Sequence, residues 1–344
     1  MGASGQSVGG LRTLSNPLTS PHGRTHQCGM RATREMIAAL PLLLIALSAP
    51  SRAAGDGGEL DSAIDRVVRW LPSAEIDPFE GGVGAFRTYV VDVETWHRLS
   101  VLERDPSRKA SFEREAVRRL RKALDAGKLE GILAGPGGKN AFTEMAVLAR
   151  RCLDHGLDPA PVREALTAHR SALEAEIRRV PVPIRAVYAA YLPSAGITPP
   201  VSLEECRRTG MLATQPREVD LTLSDIYYLT HEIFAYTDYS MQRLTGMTPK
   251  EETYLLRVLP YYAVFYFSLG QVDVASELLT CLQAGGMRDT YGYREGVAIL
   301  MEHQNGDGSF GTRDSTGSGG PSALLHPTMN ALTVLLTERA VSHF

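Results

Sequence analysis

Cysteine is scarce in this sequence, and its cysteines are not spaced as metal ligands. Four occur among the 344 residues, at positions 28, 152, 206 and 281, and no two form a Cys-x-x-Cys pair. A disulfide-dense fold and a finger-type structural zinc site are therefore excluded. Position 28 precedes an apolar run near the N-terminus, and the other three cysteines can form at most one disulfide.

Several catalytic and ligand-binding motifs are absent as well. The sequence has no His-Glu-x-x-His, no Gly-x-Ser-x-Gly, no Walker loop and no Asp-rich magnesium motif. Lysine and arginine do not cluster with aromatic residues, so the electrostatic signature of a nucleic-acid binder is missing. The chain nevertheless has 44% hydrophobic and 22% charged residues, which is the composition of a folded globular protein.

An apolar run near the N-terminus has the arrangement of a secretory signal. Basic residues at 31 and 34 precede the run at 36–47, and small residues follow it at 48–54. The run is shorter than the about 20 residues that span a bilayer. This order predicts export to the periplasm or the extracellular space, without a stable membrane anchor after cleavage.

The boundaries of this signal follow from the same pattern. We predict a signal peptide at 30–54 that is cleaved after Ala53 or Ala54. Residues 1–29 are then a disordered leader in front of a mis-assigned start, and Met30 is the true first residue. The alternative is a cytosolic leader in front of a membrane anchor.

The predicted mature chain, residues 55–344, is mildly acidic. Of the 36 basic and 39 acidic residues, five and one respectively lie before it. The mature chain therefore has 31 basic and 38 acidic residues and a net charge of −7. We expect one domain, no nucleic-acid partner, and a small-molecule, peptide or glycan ligand.

Apolar residues recur at helical spacing through most of the mature chain. The capping boxes Thr222-x-x-Asp225 and Thr248-x-x-Glu251 mark two helix starts. One segment, 87–93, is β-branched and is equally compatible with strand and helix. An all-α fold follows. The predicted helices are at 111–126, from 140 to before 156, from 158 through 177, and at about 223–244, 249–269, 271–284, 290–303 and 327–341.

Successive helix pairs can bury a continuous core as an α-solenoid or as a closed α/α toroid. Residues 300–310 contain Leu-x3-Gln-x3-Gly-x-Phe, in which Gln304 can hydrogen-bond nearby backbone groups. This segment resembles the Gln/Trp repeat of terpenoid cyclases and protein prenyltransferases, with Phe310 where tryptophan is usual. The helix that follows, opening Leu325-His-Pro-Thr, resembles their inner helix. The resemblance covers about 290–341 and implies an α/α toroid or partial toroid.

A second resemblance covers more of the chain. The segments 63–71 and 77–79, and above all the motif Thr-His-x-Ile-Phe-x-x-Thr-Asp at 230–238, are similar to an uncharacterised bacterial family. Its hallmark is that motif on a helix. The resemblance implies homology without implying an activity.

Within this motif, His231 and Asp238 form the first candidate catalytic pair. Seven residues apart on a helix, they would share a face at a separation of about 10.5 Å. That distance is too long for one metal unless other helices complete the site. The apolar neighbours of His231 equally favour a packed histidine, so both interpretations stay open.

Further candidates lie closer to the C-terminus. His326 falls where the prenyltransferase resemblance implies a zinc histidine, although the Asp-x-Cys ligands of that family are absent. Asp273, Glu277 and Cys281 share a helix face, and the last two have workable ligand spacing. The favoured interpretation of these three is structural, with Glu277 solvated and Cys281 in the core. A divalent metal such as zinc is the candidate cofactor, and its candidate ligands are His231, Asp238, His326 and Cys281.

Three functions are therefore open. The first is an exported, metal-assisted enzyme of unknown reaction, in which His231, Asp238 and His326 converge at the toroid mouth near Tyr236 or Tyr239. The second is a non-catalytic binding or scaffold toroid, in which the same residues are buried and internally paired. A glycan-active barrel is a third; its facing carboxylates would come from Glu232, Asp238, Asp307 and Asp314.

Overall fold

Alpha-helices make up nearly all of the regular structure. The computed structural model describes residues 57–312 and 321–341. No strand occurs among these residues, in which Gln304 and Phe310 form an isolated β-bridge. The all-α prediction is confirmed. The helices are α1 Gly57–Trp70, α2 Gly82–Leu102, α3 Pro106–Ala123, α4 Ala126–Ala134, α5 Phe142–Asp154, α6 Ala160–Ala168, α7 Arg170–Arg179, α8 Val182–Tyr191, α9 Leu203–Thr209, α10 Met211–Thr214, α11 Leu223–Thr237, α12 Pro249–Ser268, α13 Val272–Ala284, α14 Tyr291–Glu302 and α15 Leu325–Val341.

Both predicted capping boxes are confirmed. At the start of α11, the Thr222 hydroxyl accepts the Asp225 backbone N–H, and the Asp225 carboxylate accepts the Thr222 N–H. Thr248 and Glu251 make the same reciprocal pair at the start of α12. Each box satisfies two backbone donors that have no partner within the helix, which fixes where the helix begins.

The predicted bounds of two helices are wrong. The helix predicted at 111–126 is α3, which begins earlier because Asp105 caps it and Pro106 suits the first turn. The single helix predicted from residue 158 is divided at His169 into α6 and α7. The segment 87–93, equally compatible with strand and helix, lies within α2 and is helical.

The predicted end of α11 at 244 is also wrong, because a left-handed turn stops the helix at Thr237. Asp238, Tyr239 and Ser240 have φ of +49°, +52° and +64°. Such a conformation costs about 1–2 kcal/mol for each non-glycine residue. Asp238 therefore caps the helix, and its side chain does not continue the helical face that carries His231.

The buried apolar side chains form two clusters, and α2 belongs to both. Its first half contributes Phe86 and Val90 to the cluster built with α4–α8. Its second half contributes Trp96 and Leu99 to the cluster built with α1 and α11–α15. Helix α15 packs against α1, α2 and α13, and α13 packs in turn against α11. This packing brings side chains of α11, α13 and α15 together.

The turn after α14 has the hydrogen bonds that its sequence predicts. Gln304 donates through Nε2 to the carbonyls of Ala63 at 2.9 Å and Gly308 at 3.0 Å, and its Oε1 accepts from Arg66. Gly308 has φ of +100°, and a Cβ there would lie 2.4 Å from the Arg66 carbonyl oxygen. The turn thus ties α14 to α1, with Phe310 buried beneath it.

Some predictions concern residues outside the described ranges. The leader at 1–29, the signal peptide at 30–54 and Asp314 are among them. Within the described ranges, no helix combines the length and apolar character that crossing a membrane requires. The three cysteines there are buried free thiols, so they form no disulfide.

Candidate functional site

Three side chains of metal-ligand type meet where α13 lies against α15. Asp273 and Glu277 are one turn apart on α13, and His326 is the second residue of α15. One ligand atom of each lies within 4.8 Å of the other two. The His326 Nδ1 is 2.9 Å from the Asp273 Oδ1. These three residues are named the acidic cluster.

The local sequence explains this meeting. Asp273 and Glu277 are spaced i and i+4, so they point to the same side of α13. His326 stands in the first turn of α15, where Pro327 is tolerated because backbone N–H groups there have no intrahelical acceptor. The packing of α13 against α15 then closes the three side chains into one group.

Three neighbouring side chains orient the two carboxylates. The Tyr227 hydroxyl donates to Asp273 Oδ2 at 3.2 Å, and the Thr230 hydroxyl donates to Glu277 Oε2 at 2.6 Å. The Asn330 amide donates to Asp273 Oδ1 at 2.8 Å and to Glu277 Oε1 at 3.4 Å. Outer contacts of this kind hold ligating carboxylates in place at metal sites.

The acidic cluster is open to solvent at one end. The side chains of His326 and Asp273 are 43% and 26% exposed, whereas Glu277 is 1% exposed. His326 and Asp273 therefore form a mouth, and Glu277 lies beneath them.

Burial and mutual charge shift the pKa values of all three groups. Burial raises the pKa of Glu277 to about 8, and the Asp273 carboxylate adds to this effect. Burial acts to lower the pKa of His326, but Asp273 and Glu277 outweigh it and raise the pKa to about 9. Burial acts to raise the pKa of Asp273, yet His326 holds that pKa below its usual value. At neutral pH the acidic cluster therefore combines one imidazolium, one carboxylate and one protonated carboxyl group.

His231 lies beside the acidic cluster with a defined tautomer. Its Nδ1 is 2.8 Å from the Tyr227 carbonyl oxygen, so Nδ1 carries the proton and donates it. The ring packs against Tyr227 and Phe234. Burial lowers the pKa of His231, and the charge of His326 lowers it further, against the opposing effect of the Tyr227 hydrogen bond. The ring is therefore neutral near pH 7, and it is not among the three groups within 4.8 Å.

Asp238, the predicted partner of His231, pairs elsewhere. Its Oδ1 accepts from Arg151 Nη2 at 3.0 Å and from the Tyr191 hydroxyl at 3.1 Å. Burial acts to raise the pKa of Asp238, but the Arg151 guanidinium outweighs it and holds the pKa below its usual value. The structure thus places His326 with Asp273 and Glu277, and it does not place Asp238 there.

The charges around Asp238 form a second group, the arginine cluster, which consists of Glu94, Arg98, Arg151, Asp154 and Asp238. Arg151 is fully buried and donates to all three carboxylates of this cluster. Arg98 is also buried, and its Nη1 donates to the Thr333 hydroxyl. Its Nε and Nη2 have no hydrogen-bond partner among the described residues. Arg151 is therefore saturated and Arg98 is not.

The remaining candidates lie outside the acidic cluster. Cys281 is fully buried, burial raises the pKa of its thiol, and its Sγ is 4.0 Å from the Thr230 carbonyl oxygen. Glu232 accepts the backbone N–H groups of Met211 and Leu212, which caps α10. Asp307 accepts from Ser309 within its own turn. These contacts give each side chain a local structural role.

The two tyrosines expected at the mouth contact arginines instead. The Tyr236 ring lies 5.4 Å from the Arg207 guanidinium carbon, and the Tyr239 ring lies 5.8 Å from that of Arg98. Tyr239 also packs against Tyr191. Tyr239 therefore belongs with the arginine cluster.

The sequence interpretation of Glu277 as solvated is wrong, and Asn330 was not selected at all. The sequence of α13 nevertheless indicates that Glu277 is buried. Nearly every residue from 272 to 284 is buried, because that stretch is apolar or small on all sides. A carboxylate within such a helix must be buried and paired, so the burial of Glu277 was predictable.

Comparison with known families places the chain among proteins without an assigned activity. A family model described as Domain of unknown function (DUF6895) matches residues 94–323, about two thirds of the chain. The match begins in α2, includes both carboxylates of the acidic cluster and ends before His326. No curated protein and no solved structure matches. The chain therefore belongs to the DUF6895 family of uncharacterised domains.

Proposed function

We propose that this domain binds one divalent metal ion, with zinc the best fit, at the acidic cluster. The observation that carries the proposal is the mutual approach of ligand atoms from Asp273, Glu277 and His326 to within 4.8 Å. Two ligands of a tetrahedral zinc ion lie about 3.3 Å apart, so small side-chain rotations are sufficient to close the site. Histidine nitrogen and carboxylate oxygen are ordinary zinc ligands.

The ligand number favours a catalytic role for this metal. Structural zinc sites use four protein ligands, whereas catalytic sites keep one position for water or substrate. The acidic cluster supplies three ligands and is open at His326 and Asp273. The domain is accordingly proposed to be a metal-assisted enzyme, in which the metal polarises a bound water or a substrate oxygen.

A scaffold role is the second candidate, and the internal hydrogen bonds of the acidic cluster favour it. Asp273 pairs with His326 and Glu277 accepts from Thr230, so neither carboxylate is without a partner. In that case the cluster only holds α11, α13 and α15 together. The two candidates differ in whether metal is bound.

Metal content tests the proposal. The full chain, purified without a histidine tag, is dialysed against zinc, and bound zinc is measured by elemental mass spectrometry. We expect one zinc ion per chain, and a loss of affinity of at least tenfold in His326→Ala and Glu277→Gln. Circular dichroism confirms that each variant is folded.

His303 provides a matched control. Its Nδ1 bonds the Ile299 carbonyl at 2.8 Å, the same local contact that His231 makes, but it lies outside the acidic cluster. His303→Ala should keep its zinc. A wild type without zinc, or equal loss in His303→Ala and His326→Ala, would leave the scaffold role as the function.

Export and the toroid arrangement are part of the same proposal. The run at 36–47 and its flanks support export to an oxidising compartment, where purification from the periplasm gives the native metal content. The Gln304 turn supports a toroid, because it joins α14 to α1, near the two ends of the described chain.

A further inference from the structure

Helix α3 has a charge of opposite sign to the rest of the chain. Its 18 residues include seven lysines and arginines and two glutamates, which gives the helix a net charge of +5. The whole chain has 36 basic and 39 acidic residues, so the residues outside α3 have a net charge of −8. An acidic protein therefore carries one strongly basic helix.

The outward side of α3 is occupied by three arginines, Arg114, Arg118 and Arg121, which are named the basic face. They are spaced i, i+4 and i+7, so they share the side of the helix opposite its buried residues. All three are exposed, and together with Glu113 and Val117 they line a shallow groove. The basic face is therefore presented to solvent along two turns of the helix.

Two of the three arginines make no contact that supports the fold. Arg118 pairs with Glu75 at 2.9 Å and with Glu115 at 2.7 Å. Within the described ranges, the side chains of Arg114 and Arg121 have no hydrogen bond or ion pair. Like charges at these spacings repel one another along a helix. Arg114 and Arg121 therefore do not stabilise α3, and both guanidinium groups are available to an anion.

The composition of the basic face indicates which kind of anion it fits. Protein interfaces are centred on buried aromatic and apolar side chains, and binders of single-stranded nucleic acid stack bases on aromatic rings. Among the described residues that line the groove, Val117 is the one apolar side chain and none is aromatic. A layer of anionic lipid headgroups requires neither, because it attracts basic side chains by charge alone.

We propose that α3 lies along the surface of a membrane that contains anionic lipids, with the basic face against the headgroups. A helix of 18 residues is about 27 Å long, so it reaches several headgroups at once. The same surface repels the acidic remainder of the chain, which orients the domain with α3 toward the lipid. This adsorption is reversible, weakens as salt is added, and does not depend on the proposed metal site.

Vesicle binding tests the proposal. The full chain is sedimented with vesicles of phosphatidylcholine alone, or of phosphatidylcholine mixed with phosphatidylglycerol. We expect binding to the anionic vesicles at low salt and its loss at about 1 M salt, where the Debye length falls to about 3 Å. In the double variant Arg114→Gln/Arg121→Gln the affinity should fall by about 25-fold, because each basic residue at such a surface contributes about fivefold.

A second double variant provides the matched control. Arg208 on α9 and Arg294 on α14 are also exposed. The variant Arg208→Gln/Arg294→Gln changes the net charge by the same amount and leaves the basic face intact. It should bind the anionic vesicles as the wild type does. Circular dichroism measures whether each variant is folded. If the first double variant does not fold, the single variants Arg114→Gln and Arg121→Gln, each with a loss of about fivefold, decide the result.

Three results would overturn the proposal. Absence of binding to the anionic vesicles, or equal binding to phosphatidylcholine alone, would show that α3 does not recognise anionic lipid. Equal losses in the two double variants would show that binding depends on net charge and not on the basic face. Capture of the wild type by immobilised polyglutamate, without binding to anionic vesicles, would assign the basic face to an acidic polypeptide.

Discussion

The domain contains two charge clusters, one closed and one open to solvent at one end, and their charges are paired in different ways. In the arginine cluster, one guanidinium takes up three carboxylates, and the pairs are direct and short. In the acidic cluster, His326 pairs with Asp273, and Glu277 accepts from the neutral donors Thr230 and Asn330. In the first group, Arg151 is saturated by carboxylates, although Arg98 keeps two nitrogens without a hydrogen-bond partner among the described residues. Under the proposed function, the second group would hold a cation.

Helix α11 and its C-cap contribute a side chain to each of the two clusters. Thr230 on this helix touches the acidic cluster, and Asp238 at its end touches the arginine cluster. The left-handed turn at 238–240 directs that end away from the helical face of Thr230. A short stretch of chain therefore separates the arginine cluster from the acidic cluster, the proposed metal site.

Removing the central arginine should give the largest effect. In Arg151→Met, the Glu94 carboxylate stays buried and the Asp238 carboxylate partly buried without this partner, which should lower the free energy of unfolding by about 3–5 kcal/mol. Urea unfolding followed by circular dichroism measures the change.

An exposed arginine serves as the control for that variant. Arg178 pairs with Glu174 at 3.9 Å on the surface of α7, and Arg178→Met should change stability by less than about 0.5 kcal/mol. Similar losses in the two variants would contradict the special position of Arg151.

The pH dependence of the metal-free protein should come next in size. Glu277 has a folded pKa of about 8 against 4.5 unfolded, so its contribution to the free energy of unfolding falls as pH rises between those values. His326 has a folded pKa of about 9 against 6.5, so its stabilisation is complete below pH 6.5 and is lost as pH rises to 9. Both act in the same direction, and the free energy of unfolding should fall by on the order of 2 kcal/mol from pH 5 to pH 9.

Two comparisons test the origin of that pH effect. In Glu277→Gln the decrease should be smaller, because one of the two titrating groups is gone. In the presence of zinc the trend should reverse, since the metal requires the deprotonated ligands. The arginine cluster behaves oppositely: the folded pKa of Asp238 is lowered, so its stabilisation is present above pH 3.8 and is lost on acidification. A pH-independent stability between 5 and 9 would contradict these assignments.

The smallest effects should come from single hydroxyl groups, one in each cluster. Thr230→Val removes the donor to Glu277, and Tyr191→Phe removes a donor to Asp238. Each should cost about 1 kcal/mol of stability. Only Thr230→Val should also weaken zinc binding, by about tenfold. Calorimetric zinc titration of both variants measures this difference. Weaker zinc binding by Tyr191→Phe than by Thr230→Val would contradict the assignment of the metal site to the acidic cluster.

Local features of this fold were predictable from sequence to a useful degree. The capping boxes at Thr222 and Thr248 act through contacts within four residues, so their sequence is sufficient. The end of α11 was not predictable in the same way. No glycine or proline marks the turn at 238–240, and the turn depends on contacts of Asp238 with residues of α5 and α8.

The candidate site was predicted only in part, for a related reason. His231 was selected from the Thr-His-x-Ile-Phe motif and His326 from the prenyltransferase resemblance, and the structure places His326, but not His231, among the three groups within 4.8 Å. Glu94 and Arg98 on α2, four residues apart, have the pattern of a solvated helix face, yet both are buried. Their burial depends on the packing of α2 between two apolar clusters, which periodicity within one helix does not contain.

The position of α2 in both apolar clusters has a consequence for how the domain opens. A helix that contributes side chains to two cores cannot detach from one while it remains ordered in the other. Amide hydrogens in the middle of α2 should therefore exchange only through global unfolding, and both cores should melt in a single cooperative transition. We therefore expect no local unfolding that is confined to one of the two apolar clusters. A molecule that reaches the acidic cluster must enter between His326 and Asp273, where the cluster is exposed.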